Sequence, residues 1–388
     1  MQQQEMILSN LEQMNTEMQE MQQQEMMPEN PEQMTIQTQQ EEMIPGNLPQ
    51  ITSEPQQEMM SGNLEQMTMD QAPPPVGNQV GGLQLLTGFK DSWEDYNKDD
   101  LPVFWHIAKA GGSTIKDIIG MCHRKVLASE AGVTEGHDED TEIAIIKLGN
   151  TPFVNVDPTK LAGLERAKQM GLGTSGLADT VVTRFIYESD GLFDETHKGR
   201  LFSMFRDPID RAISMFTYLQ YADWEPTYNP ELAKMTVEEF AMSDLIENNY
   251  MTRTLANKLE GDLDDGDLSV AMAVIHDKFL VGLLSEKEQT MERFEKYFGW
   301  RYFVNPANQE RCREELLSGG HNANKKKMEK PGPDTEAYRL LAHQNSYDIA
   351  LYESIVRLFE QQQQLFTNIP DGYRLFNATC CKCEPKPC

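Results

Sequence analysis

The sequence predicts an α/β protein, a parallel sheet flanked by helices. Three observations predict it: short apolar runs at 101–107, 181–186, 200–205 and 278–284, helical periodicity between them, and sharp turns at the ends of two of the runs. Apolar runs alternating with helices need crossover connections, which place strands in parallel and cover both faces of the sheet.

The first 89 residues lie outside that pattern. They hold thirteen carboxylates, no Lys, Arg or His, and Phe89 as their single aromatic residue, with Gln, Met and Glu dominating. Ordering a residue's backbone costs about 1–2 kcal/mol, and a segment so poor in aromatic and branched side chains buries too little to offset it. Residues 1–92 are therefore expected to be disordered. A unit recurs there as Asn10-Leu11-Glu12-Gln13-Met14, Asn30-Pro31-Glu32-Gln33-Met34, Asn47-Leu48-Pro49-Gln50 and Asn63-Leu64-Glu65-Gln66-Met67. It lacks the stacking apolar positions of a solenoid and reads as low complexity. Pro73-Pro74-Pro75, then Gly77, Gly81 and Gly82, read as the linker.

Of the net charge of −28, −15 remains on residues 90–388. A domain of that sign repels nucleic acid and anionic membrane surfaces, so no nucleic-acid partner is expected and any anionic ligand must be gripped locally. No apolar run approaches the ~18–20 residues that span a bilayer, and the N-terminus lacks the pattern of a signal peptide. The expectation is a soluble chain with one folded domain, 93–370, and a Cys-rich tail, 371–388. Cys122 and Cys312 lie in the body; Cys380, Cys381, Cys383 and Cys388 cluster at the end, after the acceptor pattern Asn377-Ala378-Thr379. The tail reads either as disulfide-paired in a secretory lumen or as a short disordered segment with free thiols or an adventitious metal site.

Within the domain, 101–107 reads as a buried strand and Ala108 to Thr114 as the turn that ends it. Ile115, Ile118, Ile119 and Cys122 then fall at helical spacing, giving one face to pack on the sheet. Residues 131–176 read as surface loops with one helix near 161–170. Strands follow at 181–186 and 200–205. Asp207 is a suitable N-cap and Pro208 fits the first helical position, so a helix begins there and runs through Ile209, Ala212, Ile213 and Phe216. Further helices are expected at 230–241, 243–258, 267–277, 286–298 and 334–366, with a strand at 278–284.

Two stretches carry chemistry. In the first, Gly111 and Gly112 let backbone approach a ligand, and the helix that follows offers unpaired N–H groups to an anion. Lys109 adds a full charge, and Ser113 or Thr114 can cap the helix or donate to the ligand. Taken alone, two glycines before a helix are more often a plain tight turn. In the second, Arg206 ends a strand at the sheet edge where α/β proteins bind ligands, and its fork can clamp a phosphate. Ser214 lies eight residues on, about two helical turns. Read alone, this stretch serves equally as an arginine paired with Asp207 or Asp210 and a serine bonded to its own helix.

Together the two stretches resemble the sulfotransferase superfamily. His106-Ile107-Ala108-Lys109-Ala110-Gly111-Gly112-Ser113-Thr114 is similar to the loop that wraps the 5′-phosphosulfate in that family, with Ala108 in place of the usual Pro. Arg206 to Ser214 matches the family's 3′-phosphate element, Arg-Asp-Pro-x-x-Arg-x-x-Ser, at every fixed position. The resemblance spans about 101–366 and looks nearest to membrane-bound carbohydrate sulfotransferases of the heparan 2-O and uronyl type, with 215–230 resembling sulfotransferase-domain proteins of algae. It implies a P-loop-like sulfotransferase fold and an enzyme that moves a sulfuryl group from 3′-phosphoadenosine 5′-phosphosulfate to a hydroxyl, of a glycan or another acceptor, without a metal. By it, Lys109, Ala110, Gly111, Gly112, Ser113 and Thr114 hold the phosphosulfate, Lys109 also stabilises the bridging oxygen, Arg206 and Ser214 hold the 3′-phosphate, and Lys326 in the run 325–327 belongs to a basic loop closing over the nucleotide. A His-x-His precedes the Arg-Asp-Pro strand in the heparan 2-O group; 184–190 here contains no His, and Glu188 is the carboxylate expected to act as base, with His106, His123 and His137 as rivals. Such relatives are Golgi-anchored, which implies a Golgi or secretory location, although no anchor is visible and the cytoplasm stays open. The alternatives are a small-molecule kinase, which would need a lysine after the glycines and magnesium ligands, and a binding or scaffold protein with a decayed site.

Overall fold

The structure, a computed structural model, describes residues 86–223, 225, 227–300, 306–319 and 328–366. The repeats, the tail cysteines, Asn377 and Lys326 lie outside the described residues.

The described chain is built on a seven-stranded sheet. Its strands are β1 (Leu101–Trp105), β2 (Leu127–Ala128), β3 (Ile145–Leu148), β4 (Thr151–Val154), β5 (Thr180–Thr183), β6 (Gly199–Phe205) and β7 (Phe279–Leu283), in the order β3-β4-β2-β5-β1-β6-β7. Every neighbouring pair is parallel except the β3–β4 hairpin at one edge. The expected α/β architecture, a parallel sheet flanked by helices, is the one observed.

The helices are α1 (Gly112–Asp117), continued by a π-helical turn (Ile118–Cys122), α2 (Leu161–Gln169), α3 (Leu172–Ser175), α4 (Ile186–Ser189), α5 (Pro208–Tyr218), α6 (Val237–Ala241), α7 (Tyr250–Leu255), α8 (Asp265–Lys278), α9 (Lys287–Phe298), α10 (Pro306–Gly319), α11 (Glu336–Gln344) and α12 (Ser346–Gln361). Strand alternation sorts the apolar residues into two cores. Val103, Trp105, Leu201, Phe205 and Val281 face the core shared with Val274 of α8 and Ile355 of α12. Phe104, Phe202, Met204 and Leu280 face the other, with Ile115, Ile118 and Ile119 after the loop and Phe294 of α9. All five residues of β1 and of β7 are buried, so both faces of the central sheet are dry, which is why these strands read as unbroken apolar runs. A third cluster packs Ile209, Ile213 and Phe216 of α5 against Phe240 and Leu341.

Several elements differ from expectation. Residues 131–176 contain the β3–β4 hairpin besides α2. It is turned by Gly149-Asn150, with Gly149 at φ 56°, and its exposed edge position removed the apolar signal that marked the central strands. The expected strand at 181–186 ends at Thr183, whose hydroxyl accepts from Phe185 N–H at 3.0 Å and turns the chain into α4. The helix expected at 243–258 is only α7, preceded by Asn249 in a left-handed conformation (φ 47°). The helix expected at 334–366 breaks at Asn345, a buried residue at φ −121° that donates to the carbonyl of Leu341. Packing also starts earlier than Trp93: Leu86 and Phe89 are buried, and Phe89 bridges to Gly199 beside β1.

A disulfide joins Cys122, at the end of the π-helical turn, to Cys312 of α10 across 190 residues of sequence. Beside it lies a buried polar cluster. His123 Nε2 meets Glu295 Oε1 at 2.9 Å, and Arg313 Nη1 donates to Glu295 Oε2 at 2.9 Å.

Candidate anion-binding site

Strands β1 and β6 are neighbours, yet the chain leaves them in opposite directions. After β1 it runs to β2, beyond β5; after β6 it runs to β7 on the other side. Such a reversal opens a crevice at the carboxyl ends of the two strands, the place where open α/β sheets bind ligands. Both sequence motifs end there, the first following β1 and the second following β6.

In the first, Lys109 takes a left-handed conformation (φ 61°) and Gly111 another (φ 86°), after which α1 begins at Gly112. A Cβ on Gly112 would stand 2.1 Å from His106 Cδ2, so only glycine lets the helix start this close to the strand end. Gly111 is the N-cap and no side chain caps the helix, which places Ser113 and Thr114 in the first turn; the capping role open to them in the sequence is not used. Ala110 and Thr114 are buried.

In the second, Asp207 caps α5 by accepting from Asp210 N–H at 3.0 Å, and Pro208 occupies the first helical position, both as expected. Arg206 Nη1 donates to the Lys109 carbonyl at 2.9 Å, which fixes one motif against the other. Arg211 adds a second tie: its Nε donates to the Ala108 carbonyl at 3.1 Å, its other end pairs with Glu247, and its guanidinium lies 4.6 Å over the Tyr250 ring. No role fell to Arg211 in the sequence beyond its place in the matched element; its position on the α5 face toward β1, one turn after Arg206, was the available signal. Ser214 is buried further along the same helix.

The charges are tuned by burial. The Lys109 ammonium is held 3.8 Å over the Tyr218 ring, and desolvation, followed by the positive charge of Arg206, pushes its pKa down to about 8 against the opposing effect of Glu225. Tyr218 in turn donates its hydroxyl to Glu225 Oε1 at 2.7 Å. Desolvation also lowers Arg206, opposed by Asp210 and Asp207. Lys330 Nζ sits 2.8 Å from Asp207 Oδ2 and 3.7 Å from Asp210 Oδ2, bringing another cation to the start of α5.

The remaining sequence candidates are placed as follows. Glu188 is exposed on α4, past the end of β5 at the same sheet edge. His106 is half-buried, and its pKa is pushed down to about 4, by desolvation first and then by Lys116, so it is neutral at pH 7. His123 belongs to the Glu295 cluster, and His137 pairs with Asp140 at 2.8 Å. Among the described residues no group of three or more metal-ligating side chains gathers.

Fold and site define the class: an open parallel α/β protein with a cationic crevice where β1 and β6 diverge. No family model matches the sequence, and no curated protein matches it. Among solved structures, the mouse sulfotransferase SULT7A1 complexed with PAP is similar over 70% of this chain and 89% of its own, at 14% identity and a TM-score of 0.33. That degree of likeness assigns neither an activity nor a family to this chain.

Proposed function

We propose that this chain is a sulfotransferase that moves the sulfuryl group of 3′-phosphoadenosine 5′-phosphosulfate to an acceptor hydroxyl, with a carbohydrate as the acceptor class. The observation that carries the reading is the bond from Arg206 to the Lys109 carbonyl, which brings the two motifs of the sequence resemblance into one crevice. In this reading the loop 109–114 wraps the phosphosulfate with backbone N–H groups, Lys109 meets the bridging oxygen as it gains charge, and Arg206 with Ser214 holds the 3′-phosphate. By the resemblance Lys326 belongs to the basic loop over the nucleotide, and among the described residues Lys330 brings a cation to the start of α5 through Asp207. No step calls for a metal, because lysine, arginine and the helix N-terminus supply the positive charge. The Cys122–Cys312 disulfide supports a secretory, Golgi-type location, since thiols in the cytosol are kept reduced.

The test is transfer of labelled sulfate from the nucleotide donor to a panel of glycans by the full chain. Transfer without added metal is expected. Lys109→Ala should lower it roughly 10²–10³-fold, and Arg206→Ala should weaken binding of adenosine 3′,5′-bisphosphate about 10–100-fold. Bisphosphate binding without turnover on any acceptor would make the chain a binding protein, and a requirement for ATP and magnesium would make it a kinase.

A further inference from the structure

Sulfuryl transfer needs a base for the acceptor proton, and the crevice holds a carboxylate that the sequence did not single out. Glu225 sits in the turn-rich segment after α5. Its own N–H donates to the carbonyl of buried Ala222 at 3.0 Å and its carbonyl accepts from Tyr228 N–H at 2.9 Å, so both of its backbone polar groups are bonded. Its side chain is half-buried and accepts from Tyr218 at 2.7 Å, while the same tyrosine ring lies 3.8 Å beneath Lys109 Nζ. One phenol therefore meets both groups, the ammonium over its ring face and the carboxylate at its hydroxyl, and the two sense each other electrostatically.

We infer that Glu225 is the catalytic base of the proposed transfer, a role that rests on the sulfotransferase reading. The attacking and leaving oxygens stand roughly in line on opposite sides of the sulfur, as they do on phosphorus in phosphoryl transfer, so the base and the leaving-group acid must flank the reacting centre. Lys109 takes the leaving side. A carboxylate one ring away, with one oxygen fixed by a phenol, is placed for the attacking side. In the step, the hydroxyl proton passes to the Glu225 carboxylate and the acceptor oxygen forms a bond to sulfur. The bond between sulfur and the bridging oxygen breaks, and its electron pair stays on that oxygen, now part of the 5′-phosphate of adenosine 3′,5′-bisphosphate beside the Lys109 ammonium. Glu188 has no comparable anchor: it is exposed, on a helix of four residues.

The experiment compares Glu225→Gln, Glu225→Asp, Glu188→Gln and the surface control Glu231→Gln in the full-length chain. Each is measured for binding of adenosine 3′,5′-bisphosphate, for kcat on an acceptor that the wild type sulfates, and for the pH profile of transfer. Glu225→Gln is expected to lower kcat about 10²–10⁴-fold with bisphosphate affinity unchanged, and Glu225→Asp to restore part of the rate. Its residual activity should also fade at lower pH than in the wild type, because Lys109 loses the carboxylate that favours its charged form. Wild-type transfer by Glu225→Gln overturns the inference while leaving the function intact, as does a large loss confined to Glu188→Gln. Loss of bisphosphate binding together with transfer makes Glu225 a structural residue and also overturns it. A wild-type chain that sulfates nothing removes the function itself.

Discussion

Lys109 shows how one position can be read for its charge but not for its proton affinity. The sequence places a lysine before two glycines; only the fold buries it over Tyr218 beside Arg206 and so brings its pKa from the usual 10.5 to about 8. Transfer that depends on the ammonium should therefore fall as pH rises through about 8 in kcat/KM, which reports the free enzyme. Bound phosphosulfate is anionic and raises the lysine again, so the corresponding limb in kcat should lie at higher pH; a pH–rate profile checks both. The sign for stability is opposite. Between about 8 and 10.5 the unfolded chain binds more protons at this group than the folded one, so its contribution to stability grows as pH rises there. Gly112 was legible as a point of close backbone approach, which the sequence aimed at a ligand and the structure shows against the His106 ring; Glu225 was not legible, because nothing in the sequence marks it before Tyr218 of the preceding helix is seen to donate to it.

Among elements, those with strong local rules were read correctly and those held by distant partners were not. The start of α5 follows from Asp207 and Pro208 alone, because a cap and a pre-set φ act within one turn. The β3–β4 hairpin and two-residue β2 were missed because each is stabilised by its sheet neighbour and not by its own pattern. The break at Asn345 between α11 and α12 likewise answers to a buried environment that periodicity does not report. The link from the π-helical turn to α10 is of the same kind. Cys122 looked like one more apolar position on a helical face, and its partner Cys312 is far away in sequence. Replacing both cysteines by serine should lower stability by about 2–4 kcal/mol, and under reducing conditions the wild type should move to the same denaturation midpoint as the double variant.

At the scale of the whole molecule, the acidic domain is held together by charges that the composition hides. Arg200 of β6 is fully buried. Its Nε donates to Asp100 Oδ2 at 2.8 Å, and its two other nitrogens donate to the carbonyls of Asp91, Glu94 and Asp95, fastening the segment before β1 to the sheet. Truncating Arg200 to Ala leaves buried Asp100 only the longer ion pair with Lys90 at 3.4 Å and strips three carbonyls of their donors, and should cost about 3–5 kcal/mol, read as a lower urea midpoint with an unchanged slope. Local pattern alone was enough for the parallel α/β class, the central strands, the glycine turn and the aspartate cap of α5, because each rests on contacts within a few residues or on burial of both sheet faces. The tertiary structure decided which loop meets which helix: the reversal of chain direction between β1 and β6, the bond from Arg206 to Lys109, the cysteine pair and the place of Glu225. The Arg206–Lys109 bond joins residues 97 positions apart and the cysteine pair 190, and Glu225 reaches the loop only through the Tyr218 ring; such contacts depend on distance in space, which no local pattern encodes.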